Sequence, residues 1–153
     1  PMTKGAIHKI GPFDVIAFDT HHDVIEPCGF LIKHPEMGTT LFLTDTIYCN
    51  YQFPGLNNIL IEANYSQDII DEKLGGNRFL RNRVIKSHMS IETCIETLKA
   101  NDLRAVNNIV LIHLSDRNSD AKAFKQRIEN ETLKCVSIAT AGLVFENFNI
   151  TPF

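Results

Sequence analysis

The sequence predicts an α/β (α+β) protein, in which short apolar strands alternate with capped helices. Ile109–Ile112 places four apolar residues in a row, as in a strand that is buried on both faces. A polar turn follows this strand, and Ser119 is then suited to cap a helix. Loops at strand ends carry much of the chemistry of α/β proteins, so His113, directly after the strand, becomes a candidate site residue.

Composition indicates one ordinary globular domain. The chain has 153 residues, 44% of them hydrophobic and 22% charged, and a formal net charge of −3. This charge provides no strong overall field for nucleic acid or membrane, so a nucleic-acid substrate would need a local basic patch. No stretch approaches the roughly 18 consecutive apolar residues of a membrane helix, and no signal peptide is evident. We therefore expect a cytoplasmic location.

The cysteines favour a reducing compartment. They are scattered, with no CxxC pair, and lie in or near apolar runs, so we interpret them as small core residues. These spacings make a zinc–thiolate cluster improbable. The four are Cys28, Cys49, Cys94 and Cys135.

Four strands are predicted in the first part of the chain. Phe13–Asp19, Cys28–Ile32 and Leu41–Leu43 carry β-branched and aromatic residues, and we expect them to be antiparallel neighbours in one sheet. The segment His34–Gly38 is punctuated by proline and glycine and predicts a turn. Asn58–Ile61 is a further short buried strand.

Serine caps and apolar spacing predict two helices in the middle of the chain. Ser66 begins a helix that runs to about Leu74 and is stopped by Gly75-Gly76. Ser90 begins the next one, whose apolar residues recur at the spacing of one helical face. These residues are Ile91, Cys94, Ile95 and Leu98.

The end of the chain predicts one helix and two strands. The helix extends from about Ser119 to Asn130, and its predicted buried residues are Ala123, Phe124 and Ile128. The strands are Leu133–Ala139 and Leu143–Phe148, joined by a bend at Ala141-Gly142.

Titratable side chains recur where predicted strands end. His22 follows the first strand, Asp45 the third and Glu62 the fourth, while His88 precedes the Ser90 helix. Histidine and carboxylate together suit zinc, manganese or iron, and an aspartate can bridge two ions. The alternatives are structural: an aspartate that forms a turn, a strand-end histidine bonded to the backbone, and a buried Glu–His pair. His21 points away from the face of its neighbour His22, so only one of the two is expected in the site.

Arg78, Arg81, Arg83 and Lys86 form the one basic cluster of the sequence. Such a run is commonly a solvated helix or loop face. Because it lies just before His88, it can also contact substrate phosphates.

Several of these stretches together resemble motifs of one known family. They are Phe18–Asp23 followed by Glu26–Phe30, Leu43–Thr46 ("TDT"), Glu62–Asn64 ("EA(T/N)"), Ser87–Ser90 ("HxS/T") and His113–Asn118 ("H(I/L)S"). In this order the chain is similar to the later portion of a metallo-β-lactamase-fold hydrolase domain. Its phosphodiesterase branches, the ribonuclease Z group and the small YycJ-like exonucleases, are the most similar.

The resemblance implies a fold and a set of site residues. Residues 1–153 would form a single, partial domain, the C-terminal part of an αββα sandwich, with a mixed sheet and helices on one face. His22, Asp45 and His113 would bind two divalent ions, zinc or else manganese or iron, with Asp45 as the bridge. Glu62 and His88 would form a catalytic pair near the scissile phosphate. Beyond what the resemblance implies, we expect Ser115 and, from the basic run before His88, Arg78, Arg81 and Arg83 to contact substrate.

One family signature has no counterpart here. The HxHxDH motif, which supplies several of the family's metal ligands, does not occur in the sequence. We therefore expect the chain to carry only the C-terminal half of a site. A missing N-terminal segment or a second copy, in a homo-oligomer, would complete the site.

Two functional hypotheses follow, from different classes. The first is a metal-dependent hydrolase, a phosphodiesterase or nuclease acting on nucleic acid or nucleotides. The alternative is a catalytically inert, truncated or split half-domain, with no metal or incomplete occupancy, that acts only by association with a partner or a second copy. A binding module with one metal or none is a third possibility, without a specific motif in its favour.

Overall fold

The computed structural model describes residues 2–146 and 148–151. In this part of the chain, strands β1 to β7 form one seven-stranded sheet in sequential order. Strands β1 to β4 are antiparallel, whereas β4 to β7 are parallel. The strands are β1 Ile7–Ile10, β2 Phe13–Asp19, β3 Cys28–His34, β4 Gly38–Leu43, β5 Leu56–Glu62, β6 Asn108–Ile112 and β7 Val136–Ile138.

Serine caps begin two of the helices, as predicted. The Ser66 side chain accepts a hydrogen bond from the Ile69 N–H, and the Ser90 side chain accepts one from the Thr93 N–H. None of the helices in the described ranges has the length and apolar character needed to cross a bilayer. The helices are α1 Gln67–Leu74, α2 Arg78–Ser87, α3 Ile91–Lys99 and α4 Ala121–Thr132.

Helix α4 differs from its prediction at its start. Its N-cap is Asp120, whose carboxylate accepts a hydrogen bond from the Ala123 N–H. Ser119 is not the cap, because its hydroxyl donates instead to the Ser115 carbonyl. Phe124 and Ile128 are buried as predicted, but Ala123 is exposed, since it lies on the solvent side of the helix.

The last two predicted strands also differ. Of the strand predicted over Leu133–Ala139, only Val136–Ile138 (β7) forms. Leu133 instead ends α4 in the left-handed conformation, with φ 56°. The strand predicted over Leu143–Phe148 is absent from residues 143–146 and 148, and Asn147 lies outside the described residues. The Leu143 N–H bonds to the Thr140 carbonyl in a turn, and the Ile150 N–H bonds to the Glu36 carbonyl instead of extending a sheet ladder.

The core lies between one face of the sheet and helices α3 and α4. Strand register aligns Leu41 with Ile59 and Ile109, and Leu43 with Ile61 and Leu111. All six residues belong to one buried cluster. Helices α3 and α4 contribute Ile91, Cys94, Ile95, Leu98, Phe124 and Ile128 to the same cluster. This packing holds the carboxyl ends of β4, β5 and β6 level with one another.

The other face of the sheet also carries an apolar row. Register places Phe30 beside Phe42, Phe42 beside Leu60, and Leu60 beside Val110. Because side chains alternate along a strand, this row faces away from α3 and α4. Phe30, Phe42 and Leu60 are only partly buried, and none of them belongs to the core cluster.

The environments of the cysteines predict different reactivities. Cys94 is fully buried and burial raises the pKa of its thiol, whereas Cys135 is exposed. Because the thiolate is the reactive form, we expect iodoacetamide to label Cys135 in the native protein and Cys94 only after unfolding. Peptide mass spectrometry with and without urea measures both rates, and Cys135→Ser is the control. Native labelling of Cys94 as fast as that of Cys135 would contradict the packing of α3.

Candidate metal centre

Four potential metal ligands converge at the carboxyl end of the parallel strands. Asp45 follows β4, Glu62 ends β5, His113 follows β6, and His88 precedes α3. One ligand atom from each of the four lies within 4.8 Å of those of the others. The side chains span more than 60 positions of sequence, and the parallel register of β4, β5 and β6 brings them together.

The backbone bends sharply at two of these residues. Asp45 has φ 51° and His113 has φ 54°, both in the left-handed region. Aspartate and histidine enter this region more readily than most residues, at a cost of about 1–3 kcal/mol. The backbone after β4 and the backbone after β6 therefore turn through the same left-handed conformation, and each turn supplies one potential ligand.

Glu62 connects the group. Its side chain is 0% exposed. One carboxylate oxygen accepts the Thr46 backbone N–H at 3.2 Å, and the other accepts the His88 Nδ1–H at 2.8 Å. The latter bond raises the pKa of His88, against the opposing effect of burial. The two bonds satisfy a carboxylate that would be costly to bury without partners.

The separations between donor atoms fit a divalent cation. His113 Nδ1 lies 3.3 Å from Asp45 Oδ1 and 3.1 Å from Glu62 Oε1. His88 Nδ1 lies 3.9 Å from the same Asp45 oxygen, but its proton is donated to Glu62, so on this ring only Nε2 is suited to bind a metal. Ligands about 2.0–2.2 Å from one zinc ion stand at comparable distances from each other. Imidazole with carboxylate is a donor set that suits zinc, manganese or iron. Asp45 and His113 are 43% and 42% exposed, so the group is open to solvent.

His22 stands beside the four ligands, outside the group. Its ring centroid is 5.6 Å from that of His88. His22 Nδ1 donates to the Ser87 carbonyl at 2.7 Å, which leaves Nε2 as the acceptor. A backbone carbonyl orients many metal-binding histidines in this way. His21 is directed elsewhere, since its ring stacks on Tyr48 at 4.2 Å. The ligand role of His22 stays a prediction.

Asn64 supports the loop that carries His113, a role that the sequence did not predict although Asn64 ends the Glu62–Asn64 motif. The Asn64 side chain donates to the His113 carbonyl at 2.8 Å, and the Asn64 carbonyl accepts the Ser115 N–H. The Ser115 hydroxyl in turn accepts the Asn118 N–H, so it closes the turn after β6. The position of Asn64, two residues after Glu62, was the available sequence signal.

A cleft of about 630 Å³ adjoins His88. Of the arginines predicted to contact substrate, Arg83 lines it. Arg81 is bonded to Asp71 at 2.6 Å and holds the pKa of that carboxyl below its ordinary value. Arg78 is exposed at the start of α2 and is not among the lining residues. The lining residues are Lys73, Leu74, Leu80, Arg83, Val84, His88, Asp116, Arg117 and Asn118.

We expect Glu62→Ala to destabilise the protein by about 1–3 kcal/mol, because it leaves the buried Thr46 N–H and His88 without an acceptor. Asp45→Asn is the matched control, since Asp45 is 43% exposed and asparagine tolerates the left-handed backbone at this position, and it should change the free energy of unfolding much less. Urea denaturation of the metal-free protein measures both. Equal stability of Glu62→Ala and wild type would show that the pair is not structural.

Comparison with family models and with curated proteins finds no match. Solved structures do match. The metallo-β-lactamase fold protein YhfI from Bacillus subtilis superposes with a TM-score of 0.70 at 18% identity, over 94% of this chain and 52% of that one. Zn²⁺-bound PqqB from Methylobacterium extorquens gives 0.62 at 12% identity, over 95% and 54%. CmlA, a diiron β-hydroxylase from Streptomyces venezuelae, gives 0.52 at 10%, over 89% and 32%.

The chain thus spans about half the length of YhfI and PqqB, and about a third of CmlA. At such low identity the likeness shows the fold alone. The mixed sheet, its strand order and these neighbours lead to one conclusion: the chain adopts the metallo-β-lactamase fold.

Proposed function

We propose that this chain carries part of the active site of a metal-dependent hydrolase that cleaves phosphodiester bonds. The observation that carries the proposal is the convergence of Asp45, Glu62, His88 and His113 at one edge of the sheet. The cleft beside His88, with its cationic side chains, supports a phosphate-containing substrate. Zinc in PqqB and iron in CmlA, which share the fold, support a bound divalent metal.

In this proposal Asp45 and His113 hold the metal, with His22 as a further ligand from β2. Divalent ions, when bound here, supply Lewis acidity and a nucleophile at neutral pH. Two ions, zinc or else manganese or iron, agree with the donor types. The remaining ligands come from outside these 153 residues, because the sequence lacks the HxHxDH motif.

His88 is the proposed proton donor to the leaving oxygen. Its Nδ1 is held by Glu62, so the orientation of the ring is set by a buried carboxylate. No hydrogen bond involves His88 Nε2 within the described ranges, and His88 lines the cleft. Glu62 is therefore the positioning residue, and His88 is the residue that contacts substrate.

The alternative proposal is a half-domain that is inert alone and acts by association. The partly exposed row of Phe30, Phe42 and Leu60 favours it, because an apolar sheet face gains stability when a second layer covers it. A second copy of this chain, or a further segment, would then both cover that face and contribute ligands. The two proposals differ in the metal content and the molecular mass of the isolated chain.

Metal content tests the site. After dialysis against zinc or manganese, we expect roughly one to two ions per wild-type chain, by inductively coupled plasma mass spectrometry. Asp45→Ala should lose most of this metal, because it removes a ligand shared by both proposed ions. The control Asp102→Ala removes an exposed carboxylate that is bonded to Arg104, and should keep the metal. Absence of metal from wild type would support the inert half-domain.

Turnover tests the role of His88. With bis(p-nitrophenyl) phosphate as substrate, we expect His88→Ala to lower turnover by about 10²–10⁴-fold, because the leaving oxygen loses its proton donor. Metal content should stay at the wild-type level. The control His8→Ala alters a histidine in β1, bonded to the Thr3 carbonyl, and should leave turnover unchanged. Loss of metal from His88→Ala would instead make His88 a ligand.

A further inference from the structure

We propose that the cleft beside His88 binds a second phosphate of the substrate, together with its nucleoside. The substrate would then be a nucleic-acid strand and not an isolated phosphodiester. This inference rests on the proposed function, since it names the substrate class of the same site. It is carried by a set of cationic side chains, chiefly Arg83 and Arg117, that line the cleft.

Three segments build the cleft. Helix α1 contributes Lys73 and Leu74, and α2, which packs against α1, contributes residues including Arg83. The turn after β6 contributes Arg117 and Asn118. At about 630 Å³ the cleft lies in the range of pockets that hold ligands of nucleotide size.

Two guanidinium groups in the cleft are available to a ligand. The side chains of Arg83 and Arg117 make no hydrogen bond or ion pair with the residues described. Other arginines are engaged: Arg81 with Asp71, Arg104 with Asp102, and Arg127 with Glu92. A guanidinium without a carboxylate partner, in a concave site, is suited to bind phosphate through paired N–H donors.

Lys73 adds a third positive charge and helps to order the site. Its ammonium group donates to the Arg117 carbonyl at 2.6 Å. The Ser66 N–H donates to the Asn118 carbonyl at 3.1 Å, next to the start of α1. Both bonds tie the turn that bears Arg117 to helix α1, so the cations of α1 and of this turn are held in one arrangement before a ligand binds.

The sign of the local charge is opposite to that of the whole chain. Lys73, Arg83 and Arg117 face the cleft with one carboxylate, Asp116, whereas the chain carries −3 overall. Positive charge concentrated in a concave site attracts a polyanion even when the protein is acidic. The cleft therefore supplies the local basic patch that a nucleic-acid substrate needs.

The cleft also has apolar walls. Leu74, Leu80 and Val84 line it between the cations, and Leu80 is 42% exposed. Such surfaces contact a sugar or base, which inorganic phosphate lacks. The combination favours a nucleotide unit of a strand whose neighbouring phosphodiester lies at His88.

The test measures binding without metal. Fluorescence anisotropy follows a 5′-fluorescein-labelled thymidine tetranucleotide in EDTA, with far-UV circular dichroism as the check on folding. We expect Arg83→Ala and Arg117→Ala each to weaken binding about ten-fold, the scale of one charge-assisted bond. Each should also make the salt dependence shallower by about 0.7 in log–log slope. Arg104→Ala, which alters an exposed arginine that is not among the cleft-lining residues, is the matched control and should bind like wild type.

Two results would overturn the subsite: wild-type affinity in both cleft variants, or an equal loss in Arg104→Ala. Tighter binding of a labelled phosphoserine tetrapeptide than of the tetranucleotide would overturn the nucleic-acid assignment. Cleavage of bis(p-nitrophenyl) phosphate, which has a single phosphate, keeps this test separate from the proposed function. If the protein cleaves this compound while both cleft variants bind the tetranucleotide like wild type, only the subsite proposal is overturned. Weakened variant binding without any cleavage supports the subsite and counts against hydrolase activity of the isolated chain.

Discussion

The candidate site depends on the burial of one carboxylate. Glu62 is 0% exposed, yet both of its oxygens accept hydrogen bonds, from the Thr46 backbone and from His88. These bonds join the exit of β4, the end of β5 and the start of α3 at a single point. Because an unpartnered buried carboxylate is costly, the three segments are stabilised in this arrangement together. The positions of Asp45 and His88 follow from it.

The register of the parallel strands places Glu62 where these bonds can form. Leu43, Ile61 and Leu111 align across β4, β5 and β6 and pack into the core beneath α3 and α4. A slip of one residue would turn these side chains to the opposite face and move Glu62 into the core. The packing of these apolar residues therefore fixes where each strand ends. The left-handed backbone at Asp45 and His113 then turns the chain along the carboxyl edge of the sheet.

His88 stands where two chemical environments meet. On one side are the buried Glu62 and the other potential metal ligands. On the other side is the cleft, with Arg83 and Arg117 and an apolar wall. The proposed hydrolase would use the first environment to activate the attack and the second to hold the phosphate strand. His88 lies between the two environments, where it would contact the phosphodiester bond of such a substrate.

Local patterns in the sequence predicted much of this fold and several of the side chains that meet. Strands β2 to β6 and the caps of α1 and α3 follow from apolar periodicity and from single serine residues, which act within a few positions. The sequence also predicted Asp45, Glu62, His88 and His113 as site residues, because each lies at the end of an element.

The tertiary structure decided what depends on distant contacts. Helix α2 was missed because its residues lack a buried apolar stripe, Ser87 alone being buried. The cleft was missed because Lys73 and Arg117 are 44 positions apart and meet only when α1 packs beside the turn after β6.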